Sequence, residues 1–228
     1  MAFETTRWSL ILTARETEMD GRAALESLCR AYRAPVFAYL RHRVGNFDDA
    51  QDLTQAFFAH FLEHRLQDVA DPARGRFRSF LLVCVSNFLA AHLANVGALK
   101  RGGQATFVDA AVIEQLPGSE SPDQAFDREF ALTVIERAMA RLAEQARRAG
   151  REHLHEALQP FLTEDPARDE YQQVADRLNM RPNTLAVAIY RLRRRLSEKV
   201  RAELVDLAAS PELAAAELRH LRAVLGGL

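Results

Sequence analysis

Apolar side chains recur at spacings of three and four residues along most of this 228-residue chain, and this period is that of an amphipathic helix. One stripe runs from Ala23 to Val44, with a kink expected at Pro35. A second follows Asp48, which can cap its helix, and a third runs from Arg76 to Val96. Because the chain has only 10 Gly and 8 Pro, helices are favoured over short strands joined by tight turns. The sequence therefore predicts an all-α fold that begins with a three-helix bundle.

The stretch from Lys100 to Asp123 lacks this period and has the composition of a flexible linker, with Gly102-Gly103 and Pro117-Gly118. We place the domain boundary there. The predicted division is a helical domain over residues 1–98, a linker over 99–125, a second helical domain over 126–205 and a helical extension over 206–228.

Within the second domain, a short helix from Tyr171 to Leu178 is followed by a break at Asn179–Pro182 and a longer helix from Asn183 to Leu204. This order is the outline of a helix-turn-helix. Between Asp169 and Leu204, eight Lys and Arg residues outnumber five Asp and Glu residues. A locally positive helix suits the major groove of DNA, with arginines on phosphates and first-turn side chains on base edges.

The C-terminal extension restarts a helix at Ser210-Pro211-Glu212 and would place Leu213, Leu218, Leu221 and Leu225 along one side. We interpret it as a helix that covers an exposed part of the core. A dedicated binding site for a partner is the alternative.

Charge and cysteine content exclude several classes of function for this chain. The formal net charge of -1 gives no overall attraction to nucleic acid or to a membrane, so a DNA-binding surface requires local segregation of charge. Cys29 and Cys84 are isolated, which fits a reducing cytoplasm and excludes a disulfide framework or a zinc site. The sequence contains no glycine-rich phosphate loop, nucleophile motif or metal-ligand spacing. We expect a cytoplasmic protein with no membrane segment, no cofactor and no enzymatic activity.

Three segments together resemble the extracytoplasmic-function sigma factors. Tyr171 to Leu196 is similar to that family's helix-turn-helix for the minus-35 promoter element. The segment from Asp48 to Phe58 is similar to the part that binds the polymerase clamp, and Phe77 to Asn87 resembles the helix that supports opening of the minus-10 element. The segment from Thr5 to Leu10 (TTRWSL) is similar to a branch that often occurs beside serine/threonine protein kinases.

The resemblance implies core RNA polymerase and promoter DNA as partners, and an anti-sigma factor or a Ser/Thr protein kinase as a regulator. It also implies three sets of site residues. The residues expected to bind polymerase are Asp48, Asp49, Asp52 and Gln55. The residues expected to contact minus-10 DNA are Arg74, Arg76, Arg78 and Asn87. The residues expected to contact minus-35 DNA are Arg181, Asn183, Thr184, Val187, Tyr190, Arg191 and Arg194.

This chain departs from the family pattern in two of these segments. Ala186, Val187 and Ala188 in the first turns of the reading helix exclude bidentate contacts to guanine from those positions, although Val187 suits a thymine methyl group. Gln51 occupies a position that is usually acidic in the family, so the acidic strip of the clamp segment is thinner, and Thr54 stands where an apolar residue is common. We therefore expect Thr54 to be a phosphorylation switch whose phosphate strengthens the clamp contact. The alternative is a helix hydroxyl bonded to the carbonyl one turn earlier.

Two other function classes fit parts of the sequence. A helix-turn-helix regulator that acts without polymerase would need an effector pocket, a dimerisation helix or a receiver domain, and the first hundred residues show none. If the chain is a helical scaffold or an anti-regulator, the segregated arginines have no role in DNA binding. Co-purification with core polymerase separates the three classes.

Overall fold

A computed structural model of the chain describes residues 18–71, 76–100, 120–162, 168–207 and 211–226. Every regular element in these ranges is helical, so the predicted all-α fold is confirmed. Short 3-10 helices follow α2 at Leu66–Val69 and α5 at Gln159–Leu162. The α-helices are α1 (Glu18–Val44), α2 (Phe47–Glu63), α3 (Phe77–Lys100), α4 (Pro122–Arg148), α5 (Glu152–Leu158), α6 (Arg168–Arg177), α7 (Pro182–Leu207) and α8 (Pro211–Val224).

The cap of α2 differs from the sequence prediction. Asn46 is the N-cap, and its side-chain oxygen accepts a hydrogen bond of 3.0 Å from the backbone N–H of Asp48. Asp48 therefore lies in the first turn, where its carboxylate complements the positive end of the helix dipole. The prediction that Asp48 caps this helix is wrong by two residues. The cap leaves the Asp48 side chain free to face outward.

The first hydrophobic core lies between α1, α2 and α3, which we call the N-terminal bundle. Phe57 and Phe61 of α2 are fully buried, and their rings lie 6.0 Å apart. Leu81 and Val85 of α3 and Leu40 of α1 are also fully buried. These positions belong to the three apolar stripes read from the sequence, because helical periodicity decides which side chains face the core.

The same core also takes side chains from the C-terminal half of the chain. Phe126 and Phe130 of α4 stack on Tyr32 of α1, with ring centroids 6.4 Å and 5.2 Å apart. Leu204 at the end of α7 and Leu221 of α8 are buried in this core as well. The extension α8 therefore covers the N-terminal bundle, in agreement with its interpretation as a covering helix.

A second core lies under the helix-turn-helix. It joins the end of α4 at Leu142 to α5, α6 and the first half of α7, and Ala175 and Leu185 are fully buried in it. Helices α4 and α7 each contribute to both cores, so the cores do not separate at the predicted boundary. Linker residues 101–119 lie outside the described residues, and the domain division stays a prediction.

Helix α3 is long and apolar enough to span a membrane when only length and composition are considered, over Phe77–Val96 with a mean hydropathy of 1.6. Its buried face belongs to the first core through Phe77, Leu81, Val85 and Leu89. A core helix of a folded bundle has the same composition, so this stretch is weak evidence for a membrane segment.

Candidate nucleic-acid and protein interfaces

The first predicted site is the acidic strip on α2. Asp48, Asp49, Asp52 and Gln55 are all exposed. In the described part of the chain, none of the three carboxylates forms an ion pair with a basic side chain. Positions 48, 52 and 55 lie three and four residues apart and therefore share one face of the helix. The structure brings these four residues together as a solvated negative strip that is available to a partner.

The groove between α1 and α2 borders this strip. It has a volume of about 430 Å³ and an apolar floor of Phe37 and Phe47. Phe47 is 56% exposed, which is unusual for a phenylalanine next to a core. Arg30 and Arg33 lie on the α1 side of the groove. The surface at this edge of the bundle is therefore both charged and apolar, as protein interfaces often are.

Thr54 is not accessible to a kinase in this structure. Its side chain is only 3% exposed, and its hydroxyl donates a hydrogen bond of 2.6 Å to the carbonyl oxygen of Ala50. A kinase needs the hydroxyl in solvent, which here would require local unfolding of α2. The bond to the carbonyl one turn earlier was the alternative role, and the geometry supports it.

The second predicted site, for minus-10 DNA, does not form one surface. Arg74 lies outside the described residues. Arg78 is buried, and its guanidinium forms ion pairs with Asp127 of α4 and with Glu217 of α8. Arg76 lies 3.5 Å from the other oxygen of Glu217, measured from its Nε. Arg78 therefore forms its ion pairs with carboxylates of the protein itself and does not face solvent.

Five polar side chains form a cluster on the face of the bundle that α4 and α8 cover. Arg78 and Glu217 are buried, and the partly exposed Arg76, Asp127 and His220 surround them. Nε2 of His220 lies 2.8 Å from a carboxylate oxygen of Asp127. Burial lowers the pKa of Arg78, and the Glu217 carboxylate opposes that shift. Burial, together with the charge of Glu217, raises the pKa of the Tyr32 phenol below the cluster. Both directions follow from placing charges where water is excluded.

Asn87 belongs to a different surface. It is exposed and lines a groove of about 410 Å³ between α2 and α3. The rings of Phe88 and His92 are stacked with centroids 6.3 Å apart, and His60 lies 5.5 Å from Phe88. Aromatic faces stack with bases, and an amide can both donate to and accept from a base edge. The groove therefore has the chemistry to hold an unstacked base.

Nine residues separate Arg78 from Asn87 on α3. At 3.6 residues per turn, this spacing places them on opposite sides of the helix. The structure consequently joins Asn87 to His60 and His92, which the sequence reasoning missed, and joins Arg78 to Asp127 and Glu217. His92 lies four residues after Phe88, and this helical spacing was the sequence signal for the groove.

The third predicted site is the helix-turn-helix formed by α6 and α7. Asn179 ends the first helix in the left-handed region with φ of 49°, a conformation that Asn tolerates better than most residues. The N–H of Met180 then bonds to the carbonyl of Ala175 at 2.8 Å, which closes the helix end. The carbonyl of Arg181 accepts from the N–H of Thr184 and begins α7. Helix, short turn and longer helix thus follow one another as the sequence predicts.

The outward face of α7 holds the predicted reading residues together. Val187 is 47% exposed and Tyr190 is 67% exposed. Positions 184, 187, 191 and 194 follow one another along one side of the helix. The inward face carries the buried Leu185, Ile189 and Leu192. All seven predicted residues are exposed: Arg181, Asn183, Thr184, Val187, Tyr190, Arg191 and Arg194.

A second basic surface adjoins this face and was not predicted. A groove of about 280 Å³ lies between α4, α5 and α7, with an apolar floor that includes Leu154 and Leu192. Arg151, Arg191 and Arg195 stand around it. Arg151 comes from the start of α5, so it extends the positive surface of α7 beyond the recognition helix itself. Because Arg151 and Arg191 are forty residues apart in the chain, the sequence does not show that they line the same groove.

Comparison with known proteins gives one match. Residues 28–96 match the family Sigma-70 region 2, and they include α2, the acidic strip and the Asn87 groove. No curated protein and no solved structure matches the chain. The chain therefore contains a region similar to Sigma-70 region 2, which covers less than half of its length. Helices α4 to α8 lie outside the matched residues.

Proposed function

We propose that this chain is a sigma factor of the extracytoplasmic-function type, which binds core RNA polymerase and directs it to promoter DNA. The observation that supports this most is the exposed carboxylate strip on α2, because it lies inside the Sigma-70 region 2 match and is free of internal ion pairs in the described part of the chain. In this proposal the chain recognises promoter DNA, and the polymerase catalyses RNA synthesis.

The strip binds core polymerase by charge complementarity in this proposal. Exposed carboxylates steer a basic partner and raise the association rate more than they raise affinity. The neighbouring groove with Phe37 and the half-exposed Phe47 supplies apolar contact area beside the charges. A binding surface with both components gives a fast encounter and a longer-lived complex.

Two further surfaces bind DNA in this proposal. The groove at Asn87 takes an unstacked base of the minus-10 element, with Phe88 and His92 as stacking surfaces. The outward face of α7 enters the major groove at the minus-35 element, where Arg191 and Arg194 hold phosphates and Thr184 and Val187 meet base edges. Arg151 adds a phosphate contact from α5.

Regulation by an anti-sigma factor or by a Ser/Thr protein kinase remains part of the proposal. The kinase is suggested by the segment from Thr5 to Leu10, which lies outside the described residues. Because the hydroxyl of Thr54 is buried and hydrogen-bonded, a kinase would act at another position. A factor that binds polymerase and DNA works in the cytoplasm.

Co-purification with core polymerase tests the proposal. Asp52→Arg reverses one charge in the middle of the strip, and we expect at least a tenfold higher Kd for polymerase, which corresponds to about 1.4 kcal/mol of binding free energy and is seen as lower recovery. The matched control is Glu136→Arg, which reverses an exposed carboxylate on α4 outside the matched residues. Circular dichroism should show equal helical content in both variants. Equal recovery of polymerase by the two variants would place the polymerase-binding surface elsewhere.

A further inference from the structure

The groove between α4, α5 and α7 has an apolar floor. Leu142, Leu158 and Leu192 are buried in the second core and also line the groove. Above them the lining includes Ala146 and Ala188, whose small side chains leave space open between α4 and α7. The volume of about 280 Å³ lies near the lower end of the range for small-molecule sites. The groove therefore has room for a small ligand with an apolar part.

The rim of this groove is basic. Arg191 and Arg195 lie one turn apart on α7, and Arg151 stands opposite them on α5. All three are exposed, and in the described ranges none of them forms an ion pair with a carboxylate. No acidic side chain is among the described residues that line the groove. Three uncompensated guanidinium groups around one opening attract an anion, and a carboxylate or phosphate oxygen is the acceptor that they bind best.

His155 is a second and independent sign of a ligand. Its side chain is only 7% exposed and lines the groove one turn after Arg151 on α5. Within the described part of the chain, its Nδ1 is buried and has no hydrogen-bond partner. Buried polar atoms in proteins nearly always have such a partner. An imidazole nitrogen can donate or accept according to its tautomer, so an oxygen atom of a ligand would satisfy it.

We propose that this groove binds a small amphipathic anion, with its apolar chain on the leucines and its carboxylate or phosphate group among the three arginines. The imidazole of His155 turns about its side-chain bonds to meet the ligand. The lining of α4 from Leu142 to Ala149 covers about 10 Å of helix, which is about the length of an extended chain of eight carbon atoms. Of the described residues that line the groove, none is Phe, Tyr or Trp, so the floor suits an aliphatic chain better than a nucleobase.

The ligand controls DNA binding in this proposal, and this part rests on the proposed function. Arg191 lines the groove and also lies on the outward face of α7 that is proposed to enter the major groove of DNA. An anion that pairs with Arg191 removes it from a DNA phosphate, so ligand and DNA compete for one side chain. Because such coupling is reciprocal, promoter DNA weakens the binding of the ligand by the same factor.

Calorimetric titration of the full chain with sodium octanoate tests the site. Octanamide has the same chain without the charge, acetate has the charge without the chain, and octyl phosphate exchanges the head group. Ala188→Leu fills the groove and keeps every arginine. Arg195→Met removes one charge from the rim and serves if the first variant does not fold. Arg201→Met is the matched control, because this exposed arginine lies further along α7 and does not line the groove.

We expect octanoate to bind the unmutated chain and Arg201→Met with equal Kd. In Ala188→Leu and Arg195→Met we expect Kd to rise at least tenfold. Octanamide and acetate should bind at least tenfold more weakly than octanoate to the unmutated chain. Tighter binding of octyl phosphate supports the site and identifies a phosphate head group. Equal Kd in all four proteins, or equal Kd for octanoate and octanamide, overturns the site.

The effect on DNA is measured by fluorescence anisotropy of a promoter duplex. Saturating octanoate should raise the Kd for DNA about fivefold or more in the unmutated chain and leave it unchanged in Ala188→Leu. Sodium acetate at the same concentration controls for ionic strength. Bound octanoate without a change in DNA affinity overturns the control of DNA binding. Release of core polymerase by octanoate, with DNA still bound, assigns the groove to polymerase and overturns the proposal.

The two assays separate this inference from the proposed function. If the unmutated chain binds neither promoter DNA nor core polymerase, the proposed function fails, and the role of the ligand in DNA binding fails with it. The octanoate site itself is judged by calorimetry, which contains neither DNA nor polymerase.

Discussion

Removing the charge of Arg78 should destabilise the protein far more than removing a surface arginine. The side chain is 7% exposed, and its partners Asp127 and Glu217 are 18% and 8% exposed. Arg78→Met keeps most of the volume but leaves the buried carboxylate of Glu217 and the mostly buried carboxylate of Asp127 without their shared cation. Breaking a buried pair by removing one partner costs about 3–5 kcal/mol. We expect a cost near the lower end of this range, because Arg76 can still reach Glu217 and compensates part of the lost charge.

The measurement is thermal and urea unfolding followed by circular dichroism at neutral pH. For a chain of this size, 1 kcal/mol shifts Tm by about 2–4 °C, so a loss of about 3 kcal/mol lowers it by about 6–12 °C. The control is Arg30→Met, since Arg30 and Glu26 form a pair in which the side chains are 71% and 61% exposed. Such exposed pairs contribute roughly 0–1 kcal/mol.

A triple variant completes this experiment. Combining Arg78→Met with Asp127→Leu and Glu217→Met removes all three buried charges, and apolar replacement of a buried ionic group is often neutral or stabilising. We therefore expect the triple variant to recover most of the loss. If Arg78→Met costs no more than Arg30→Met, the side chain is solvated and the covering of the bundle by α4 and α8 is refuted.

Two further predictions concern the DNA-binding face and the groove at Asn87. Arg191→Ala combined with Arg194→Ala should weaken binding to promoter DNA across all sequences and lower the magnitude of the slope of log K against log salt by about 1.8, which is about 0.9 for each lost phosphate contact. Arg147→Ala on the exposed side of α4 is the control, and an unchanged slope in the double variant would contradict the assignment. Burial raises the pKa of Cys84 from its ordinary value of 9.0 to about 11, which leaves about 100-fold less thiolate at neutral pH. Alkylation of Cys84 by iodoacetamide, followed by mass spectrometry, should therefore still accelerate between pH 9 and pH 10, and a plateau below pH 9 would contradict the burial.

The local parts of the fold could be predicted from the sequence. The apolar stripes gave α1, α2 and α3 within a few residues, and the break at Asn179 gave the turn between α6 and α7. These features depend on residues three to four positions apart, and such neighbours interact within one helix whatever the rest of the chain does. The acidic strip was predictable for the same reason, because one helical face decides it.

Two polar residues have environments that were not predicted. The prediction that Arg78 contacts DNA rests on the family resemblance and on its place beside the loop before α3, but the side chain pairs with Asp127, which lies 49 residues further along the chain. The predicted phosphorylation switch at Thr54 rests on its position two residues after Asp52 and on the kinase-associated branch that the segment from Thr5 to Leu10 resembles, yet the Thr54 side chain faces the core. The partner of Arg78 depends on the packing of α4, which the local sequence does not specify. Thr54 lies four residues after Ala50 and three before Phe57, so the helical period of α2 already places it on the core-facing side.

Glu217 shows which signal in the sequence points to such a contact. It lies three residues after Ala214 and four before Leu221, which is a core position of the apolar stripe of α8. A carboxylate at a core position is costly unless a cation is buried with it, so the stripe itself predicts a basic partner from another helix. The same reasoning applies to Asp127, which follows the buried Phe126 and precedes Phe130 on α4. Two acidic side chains on core-facing stripes of the C-terminal half imply at least one arginine on the N-terminal half that is not exposed. Arg78 meets that requirement, because it is buried and pairs with both Asp127 and Glu217.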